Sequence, residues 1–298
     1  SNLKDYHFIK GPVRHFSLTS EERHGTKKLI AGDFDVVVNM IGKQLDTHLK
    51  GNLDYANLKA LGVMDKQYVV KTDANIHFHS NMKDTYKVEG YLGKLRINEH
   101  RGKDIIALFA GDLNINADMK GKYLAGSTNG NVQCADLYQL GIVDKPFVSN
   151  FSTNIEFETD GADNLKMRGI LGNLQVQTAN EHYAPGDVTL DVLSRKDTTR
   201  AVINSGDFVL NTEWQGSYQH VLKQGQRIST DLGKQIDNKR IDQSSLQAQL
   251  PIGHLKLKSG ESNLFSKILE QQGYSFKSAD IDLTSSPSRG LNGNIFVD

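Results

Sequence analysis

The chain has 298 residues, 38% hydrophobic and 23% charged, with Lys+Arg and Asp+Glu both at 35 and a formal net charge of zero. That balance lacks the basic excess of a nucleic-acid binder, and five prolines with dispersed glycines argue against long disorder. The longest apolar run, Ile105-Ile106-Ala107-Leu108-Phe109-Ala110, is far shorter than the roughly 20 residues of a membrane-spanning helix.

The chain opens Ser1-Asn2-Leu3, without Met or a basic region leading into an apolar stretch. That is no signal peptide, and Ser-Asn resembles the scar of a removed tag. The closing Asn294-Ile295-Phe296-Val297-Asp298 reads as strand to the end. The chain therefore reads as an excised segment of a larger protein.

Phe34, Val36 and Val38 alternate with Asp35, Val37 and Asn39, a period of two that predicts a strand with one buried face. Tyr55, Leu58 and Leu61 predict a short helix over 54–61, ended by Gly62. Ile76 and Phe78 mark the next strand. Between Leu92 and Leu95 the apolar parity changes across Gly93, which signals a β-bulge. Leu113, Ile115 and Ala117 predict another strand. Gly126-Ser127-Thr128-Asn129-Gly130 reads as a flexible connection into a second short helix over 136–140, with Cys134, Leu137 and Leu140 on one side. Ile155 and Phe157 mark a strand, and Gly172 repeats the parity break. Phe208, Leu210 and Thr212 alternate as before. A further helix is expected between 218 and 241, and another over 264–273 from Leu264, Phe265, Ile268 and Leu269.

These elements recur because the sequence does. Shifting 51–97 by 79 onto 130–176 matches 18 of 47 positions without a gap. A second signature occurs three times: Gly32-Asp33-Phe34 to Met40-x-Gly42, Gly111-Asp112-Leu113 to Met119-x-Gly121, and Gly206-Asp207-Phe208 to Trp214-x-Gly216. The glycine pair Gly90-x-x-Gly93 is matched late in the chain by Gly290-x-x-Gly293. The organisation expected is residues 1–31 as part of a preceding unit, then units 32–110, 111–205 with an insertion near 182–197, and 206–298 with a long insertion near 217–261. The fold class expected is mainly β with short helices, an elongated repeat whose curled antiparallel sheet has an apolar inner face. Phe34, Val36, Val38, Phe78, Leu113, Ile115, Phe157, Phe208 and Leu210 are the candidates for lining that face.

Signals for chemistry are weak. His77 and His79 share a strand face and could hold zinc, but the shifted triplet is Glu156-Phe157-Glu158, which makes the polar pair solvent-facing around a core Phe. Asp160 to Asn164 lacks the acidic spacing of a calcium loop and reads as a hairpin turn. No nucleophile elbow or phosphate loop occurs. The single cysteine, Cys134, cannot form an intramolecular disulfide and reads as a small buried hydrophobe. Trp214 aligns with Met40 and Met119 and reads as a packing residue, with carbohydrate stacking as its alternative. No catalytic residue, metal or cofactor is expected, and no enzyme.

The lines Leu53-x-x-Ala56-x-Leu58-x-x-Leu61-Gly62 and Val132-x-x-Ala135-Asp136-Leu137-x-x-Leu140-Gly141, with the ending from Asp282-Leu283-Thr284 through Gly290-Leu291-x-Gly293-x-Ile295, resemble the TamB/AsmA-like family of Gram-negative envelope proteins. The resemblance covers the chain from about residue 32 onward, and the long insertion in the third unit departs from it. It implies very large periplasmic proteins anchored in the inner membrane, whose repeats form a curled β-taco sheet with an apolar groove. They bridge the membranes, carry phospholipid acyl chains and serve outer-membrane biogenesis and protein assembly with a barrel partner of the TamA/BamA type. The alternative from a different class is a structural or surface-interaction β-repeat module, such as a spacer, adhesin-like or glycan-binding unit, with a sealed core. The two differ in whether the apolar stripe lines an accessible groove or a filled interior.

Overall fold

The computed structural model describes residues 6–22, 25–62, 64–239, 242–271 and 273–298. The chain is mainly antiparallel β. Its strands are β1 (Tyr6–Glu22), β2 (Gly25–Ile41), β3 (Gln44–Asn57), β4 (Tyr68–Ser80), β5 (Thr85–Arg101), β6 (Asp104–Lys120), β7 (Tyr123–Asp136), β8 (Phe147–Thr159), β9 (Leu165–Thr178), β10 (His182–Tyr183), β11 (Val188–Arg195), β12 (Thr198–Ser205), β13 (Phe208–Gln215), β14 (Gly253–Gly260), β15 (Ser278–Ser286) and β16 (Gly290–Val297). The helices are α1 (Tyr218–Asp237) and α2 (Gln243–Ala248), between β13 and β14, and α3 (Leu264–Gln271), between β14 and β15. The sheet order follows the chain from β1 to β16, with β10 set aside against β9. The bounds of β2, β3 and β4 reappear 79 residues later as those of β6, β7 and β8.

Two compact units are distinguished, one of Ser1–Asn154 with Asn173–Ala184, the other of Ile155–Gly172 with Pro185–Asp298. In the first unit, β2 and β3 join through Gly42-Lys43, and β6 and β7 through Gly121-Lys122. Gly42 and Gly121 stand at φ +57° and +60°, the left-handed values that tight hairpins require. The parity break at Gly93 is a bulge. The β5–β6 register shifts between Leu92 and Leu95, and Lys94 adopts φ +49°. One extra residue puts both leucines on the same face. Asp112 Oδ1 accepts the Lys94 N–H at 2.8 Å, and Asp33 Oδ1 accepts the His15 N–H at 2.6 Å from the equivalent irregularity in β1. The repeated Gly-Asp pair thus holds a bulge of the neighbouring strand. Asn173, at φ +53°, sits at the second parity break.

Three expectations are corrected in this unit. The helices at 54–61 and 136–140 are absent, because β3 and β7 run on to Asn57 and Asp136 and a single turn follows. Asn57 Oδ1 accepts the Ala60 N–H and Asp136 Oδ1 the Gln139 N–H, both at 3.0 Å. Gly62 and Gly141 then end the turn at φ +73° and +77°, too early for a helix nucleus to propagate. The connection expected at 126–130 is instead the middle of β7. There Gly130 lies against the Asp112 carbonyl and the Leu113 Cα, where a Cβ has no room.

In the second unit, Gly206-Asp207 is the two-residue turn between β12 and β13, whereas Gly32-Asp33 and Gly111-Asp112 lie inside β2 and β6. Of the 182–197 segment, β10 belongs to the first unit and β11 to this one, and 217–261 supplies α1, α2 and β14. The helix expected between 218 and 241 is α1, with 240–241 outside the described residues, and the one at 264–273 is α3, with Gln272 outside them. The Ser1-Asn2-Leu3 start also lies outside them. α1 leaves the strand where the other repeats make a glycine hairpin, and Ser194 Oγ accepts the Tyr218 N–H at 2.7 Å at its first turn. Asn263 Oδ1 caps α3 through the Ser266 N–H at 2.8 Å. Gly290 is not the counterpart of Gly90. Gly293 is, since it presses on the Asp282 carbonyl and Leu283 Cα as Gly90 presses on those of Asn75 and Ile76.

Candidate functional site: the apolar face of the sheet

Antiparallel partners point to the same side of a sheet, so the registers define the faces. In the first unit, Val13, Phe34, Gly51, Ala74, Leu92, Leu113 and Gly130 form one row across seven strands. The next row is Gly11, Val36, Leu49, Ile76, Gly90, Ile115 and Thr128, and the next Ile9, Val38, Thr47, Phe78, Val88, Ala117 and Gly126. None of these residues is charged. Seven strands with six spacings of about 4.8 Å make each row about 29 Å long, close to the roughly 30 Å hydrocarbon thickness of two lipid leaflets.

The structure therefore brings six of the nine candidate residues, Phe34, Val36, Val38, Phe78, Leu113 and Ile115, onto one face. Phe34 is buried at 8% exposure, while Val36, Val38, Phe78, Leu113 and Ile115 are half-buried. The buried end of the face is the bulge end, where Leu95 and Val132 extend it. Among the described residues of this unit there is no helix, and every strand belongs to the sheet.

In the second unit, Phe208 is buried at 6% exposure and Leu210 is half-buried, both on the apolar side of β13. Leu190, Ile203, Leu210, Leu257, Ile281 and Ile295 make one row there. In the neighbouring row, the Phe208 ring meets that of Phe265 on α3, their centroids 4.3 Å apart. Phe157, in β8, is half-buried. Leu49, Val88, Leu257 and Ile281 belong to the same faces and were not singled out in the sequence, and Ile76 and Leu92, read there only as strand and bulge markers, join them. Their alternation with polar residues was the available signal.

The opposite face is a lattice of polar ladders. His77 Nε2 donates to Asp46 Oδ1 at 2.9 Å, His48 meets Asn75 at 2.6 Å, and Asn114 donates to Asn129 at 3.1 Å. Arg168 pairs with Asp191 at 2.9 Å and Arg200 with Glu213 at 3.0 Å. The Asp46 hydrogen bond holds the His77 imidazole above its ordinary value, and the same contact holds the Asp46 carboxyl below its own. His79 Nδ1 stands 3.7 Å from Asp46. The two histidines expected to share a face do so, on the wet side. Among the described residues no group of three or more His, Cys, Asp or Glu side chains is arranged to hold a metal.

Asp160 closes an Asx-type turn, its Oδ1 accepting the Ala162 and Asn164 N–H groups at 2.9 Å, and those contacts hold its carboxyl low. Cys134 is half-buried in β7, and burial pushes its thiol up, with Asp136 adding to the effect. Trp214 is half-buried across from Thr199 and Gly253. Comparison of the chain with protein-family models, curated proteins and solved structures returns no match. The candidate site is the apolar face itself.

Proposed function

We propose that the chain is a segment of a periplasmic bridge of the TamB/AsmA-like kind, in which the apolar face holds phospholipid acyl chains on their way between membranes. The observation that carries this reading is the unbroken, charge-free face across β1 to β7, with its middle rows half-exposed and no helix among the described residues of that unit. An apolar surface of that extent needs a cover, and a hydrocarbon chain lying across the strands supplies one without asking for hydrogen bonds. The polar ladders on the other face suit contact with water. In this reading the protein works in the cell envelope, anchored in the inner membrane, takes part in outer-membrane biogenesis and meets an outer-membrane barrel of the TamA/BamA type. It catalyses no reaction. It guides lipid by lowering the cost of exposing acyl chains to water.

The second reading, a structural or surface-interaction module with a sealed core, draws support from the second unit, where Phe265 of α3 stacks on Phe208. Mass spectrometry of lipids that co-purify with the chain distinguishes the two. Diacyl lipid retained in a defined ratio supports the groove, and a lipid-free chain that also fails to bind vesicle-derived phospholipid removes it.

A further inference from the structure

On the wet face of the first unit the two repeats share a geometry and differ in charge. The 79-residue shift sets Asp54, Lys71, Asp73, Lys94 and Arg96 on Gln133, Asn150, Ser152, Asn173 and Gln175. Two acidic and three basic side chains are thus all replaced by neutral hydrogen-bonding ones. The backbone stays the same, with Lys94 at φ +49° and Asn173 at φ +53°. The contact between the strands stays too. Lys94 Nζ pairs with Asp73 at 2.8 Å in the earlier repeat, and Asn173 Nδ2 donates to Ser152 Oγ at 3.4 Å in the later one.

In the later repeat these side chains and Asn131 line a hollow of about 420 Å³ across the neighbouring strands β7, β8 and β9, a volume typical of small-ligand sites. Among the described residues no charged side chain lines it. Asn131, Asn150 and Gln175 are exposed, and among the described residues their side chains have no hydrogen-bond partner. The Asp112 carboxylate at its border is already engaged. Its Oδ1 accepts the Tyr91 hydroxyl at 3.1 Å and the Lys94 N–H at 2.8 Å, and its Oδ2 accepts from Gln133 Nε2 at 3.0 Å. The Tyr91 ring lies against Gly93 and is 41% exposed.

This lining selects by chemistry. A phosphate or carboxylate finds no cation in the hollow, and an ammonium finds no free anion, so a charged ligand is desolvated without compensation. A peptide strand finds no edge to join, because β7, β8 and β9 each have strands on both sides. Each amide offers two N–H donors and a carbonyl acceptor, which matches sugar hydroxyls, since each of those both donates and accepts. We propose that the hollow binds an uncharged glycan, one sugar seated among the amides and the chain running across β6 toward the Tyr91 ring, which stacks on a sugar face. From β9 to β5 is four strand spacings, about 19 Å, room for several sugars. The site is on the opposite face from the apolar rows, and the inference does not rest on the lipid reading.

Isothermal titration calorimetry of the full chain with the N-acetylglucosamine tetramer, and with its cationic deacetylated form, tests this. The neutral tetramer binds, and the cationic one binds at least about tenfold more weakly. Ser152→Asp with Asn173→Lys restores the pair that the earlier repeat already accommodates at the same backbone geometry. That variant keeps its circular dichroism spectrum and loses at least about tenfold in affinity for the neutral tetramer. Tyr91→Ala loses about threefold. Absence of binding at the highest soluble concentration overturns the proposal. So does equal binding of the two tetramers, or undiminished binding by the folded double variant. Undiminished binding by Tyr91→Ala overturns the path toward the ring. If the double variant fails to fold, NMR of the wild type decides: the neutral tetramer shifts the side-chain amide resonances of Asn131, Asn150 and Gln175, and unmoved resonances overturn the site.

Discussion

Replacing Ile115 with Arg separates an open groove from a sealed interior. Ile115 lies in the middle row of the first unit, between Gly90 on β5 and Thr128 on β7, and is half-buried. Fully burying an isoleucine contributes about 1.5–3 kcal/mol, so losing a half-buried one costs about 1–1.5 kcal/mol. Gly90 has no side chain, so the Arg stem can lie over it while the guanidinium reaches water. The total cost for an open face is therefore about 1–2 kcal/mol. In a sealed core the same charge is unpaired and desolvated, and the cost exceeds about 4 kcal/mol. Urea unfolding measures the difference directly, as a shift in midpoint at constant slope. The account predicts a folded variant that no longer takes up a fluorescent long-chain fatty acid. Global unfolding refutes the open face, and a folded variant with undiminished uptake refutes the passage of hydrocarbon along this row.

Other outcomes follow from the same structure. Gly130→Val forces a Cβ onto the Asp112 carbonyl at a φ of +155°, and it should destabilise by more than about 2 kcal/mol in urea unfolding. Gly121→Asn, at a hairpin φ of +60° that asparagine tolerates, should cost less than about 1 kcal/mol. Asp112→Ala removes the acceptor for the Lys94 N–H and the Tyr91 hydroxyl, and a loss of about 1–2 kcal/mol should appear as a lower melting temperature. The Asp46–His77 contact should add stability over a limited pH range. The raised His77 contributes below its ordinary value and stops contributing as pH rises through the raised one. The lowered Asp46 contributes above its ordinary value and stops as pH falls through the lowered one. The contact is therefore strongest between about pH 4 and 6.5. Both groups are nearly half exposed, so it contributes less than about 1 kcal/mol. Asp46→Asn should lower the His77 titration midpoint seen by NMR, and an unmoved midpoint removes the coupling.

The strands were legible because period-two alternation and the 79-residue shift report the same thing twice. Phe34, Val36 and Val38, and then Leu113 and Ile115, occupy one face because the sheet requires it. The bulge at Gly93 was legible because apolar parity can change within a strand only if a residue is inserted. The short helices were misread for a local reason. Tyr55, Leu58 and Leu61 fit a helical face, but Asn57 and Gly62 confine the chain to one turn. Gly126 and Gly130 looked like a linker because glycine has two uses. Close backbone approach across β6 and β7 explains Gly130, and only the register reveals it. Gly206-Asp207 matches its counterparts in sequence and still becomes a turn, because the ladder there is set by β11 and β12. The polar ladders of Asp46, His48, Asn75 and His77 depend on cross-strand neighbours, which no single sequence displays.

The central claim is that hydrocarbon lies on one face of the sheet and not on the other. A photoreactive amino acid placed at Ile115, and separately at its neighbour Asn116 on the polar face, tests it in cells. The account predicts ultraviolet-dependent phospholipid adducts at 115 and none at 116, identified by mass spectrometry of the purified chain. Adducts of equal yield at both positions, or none at 115, contradict it.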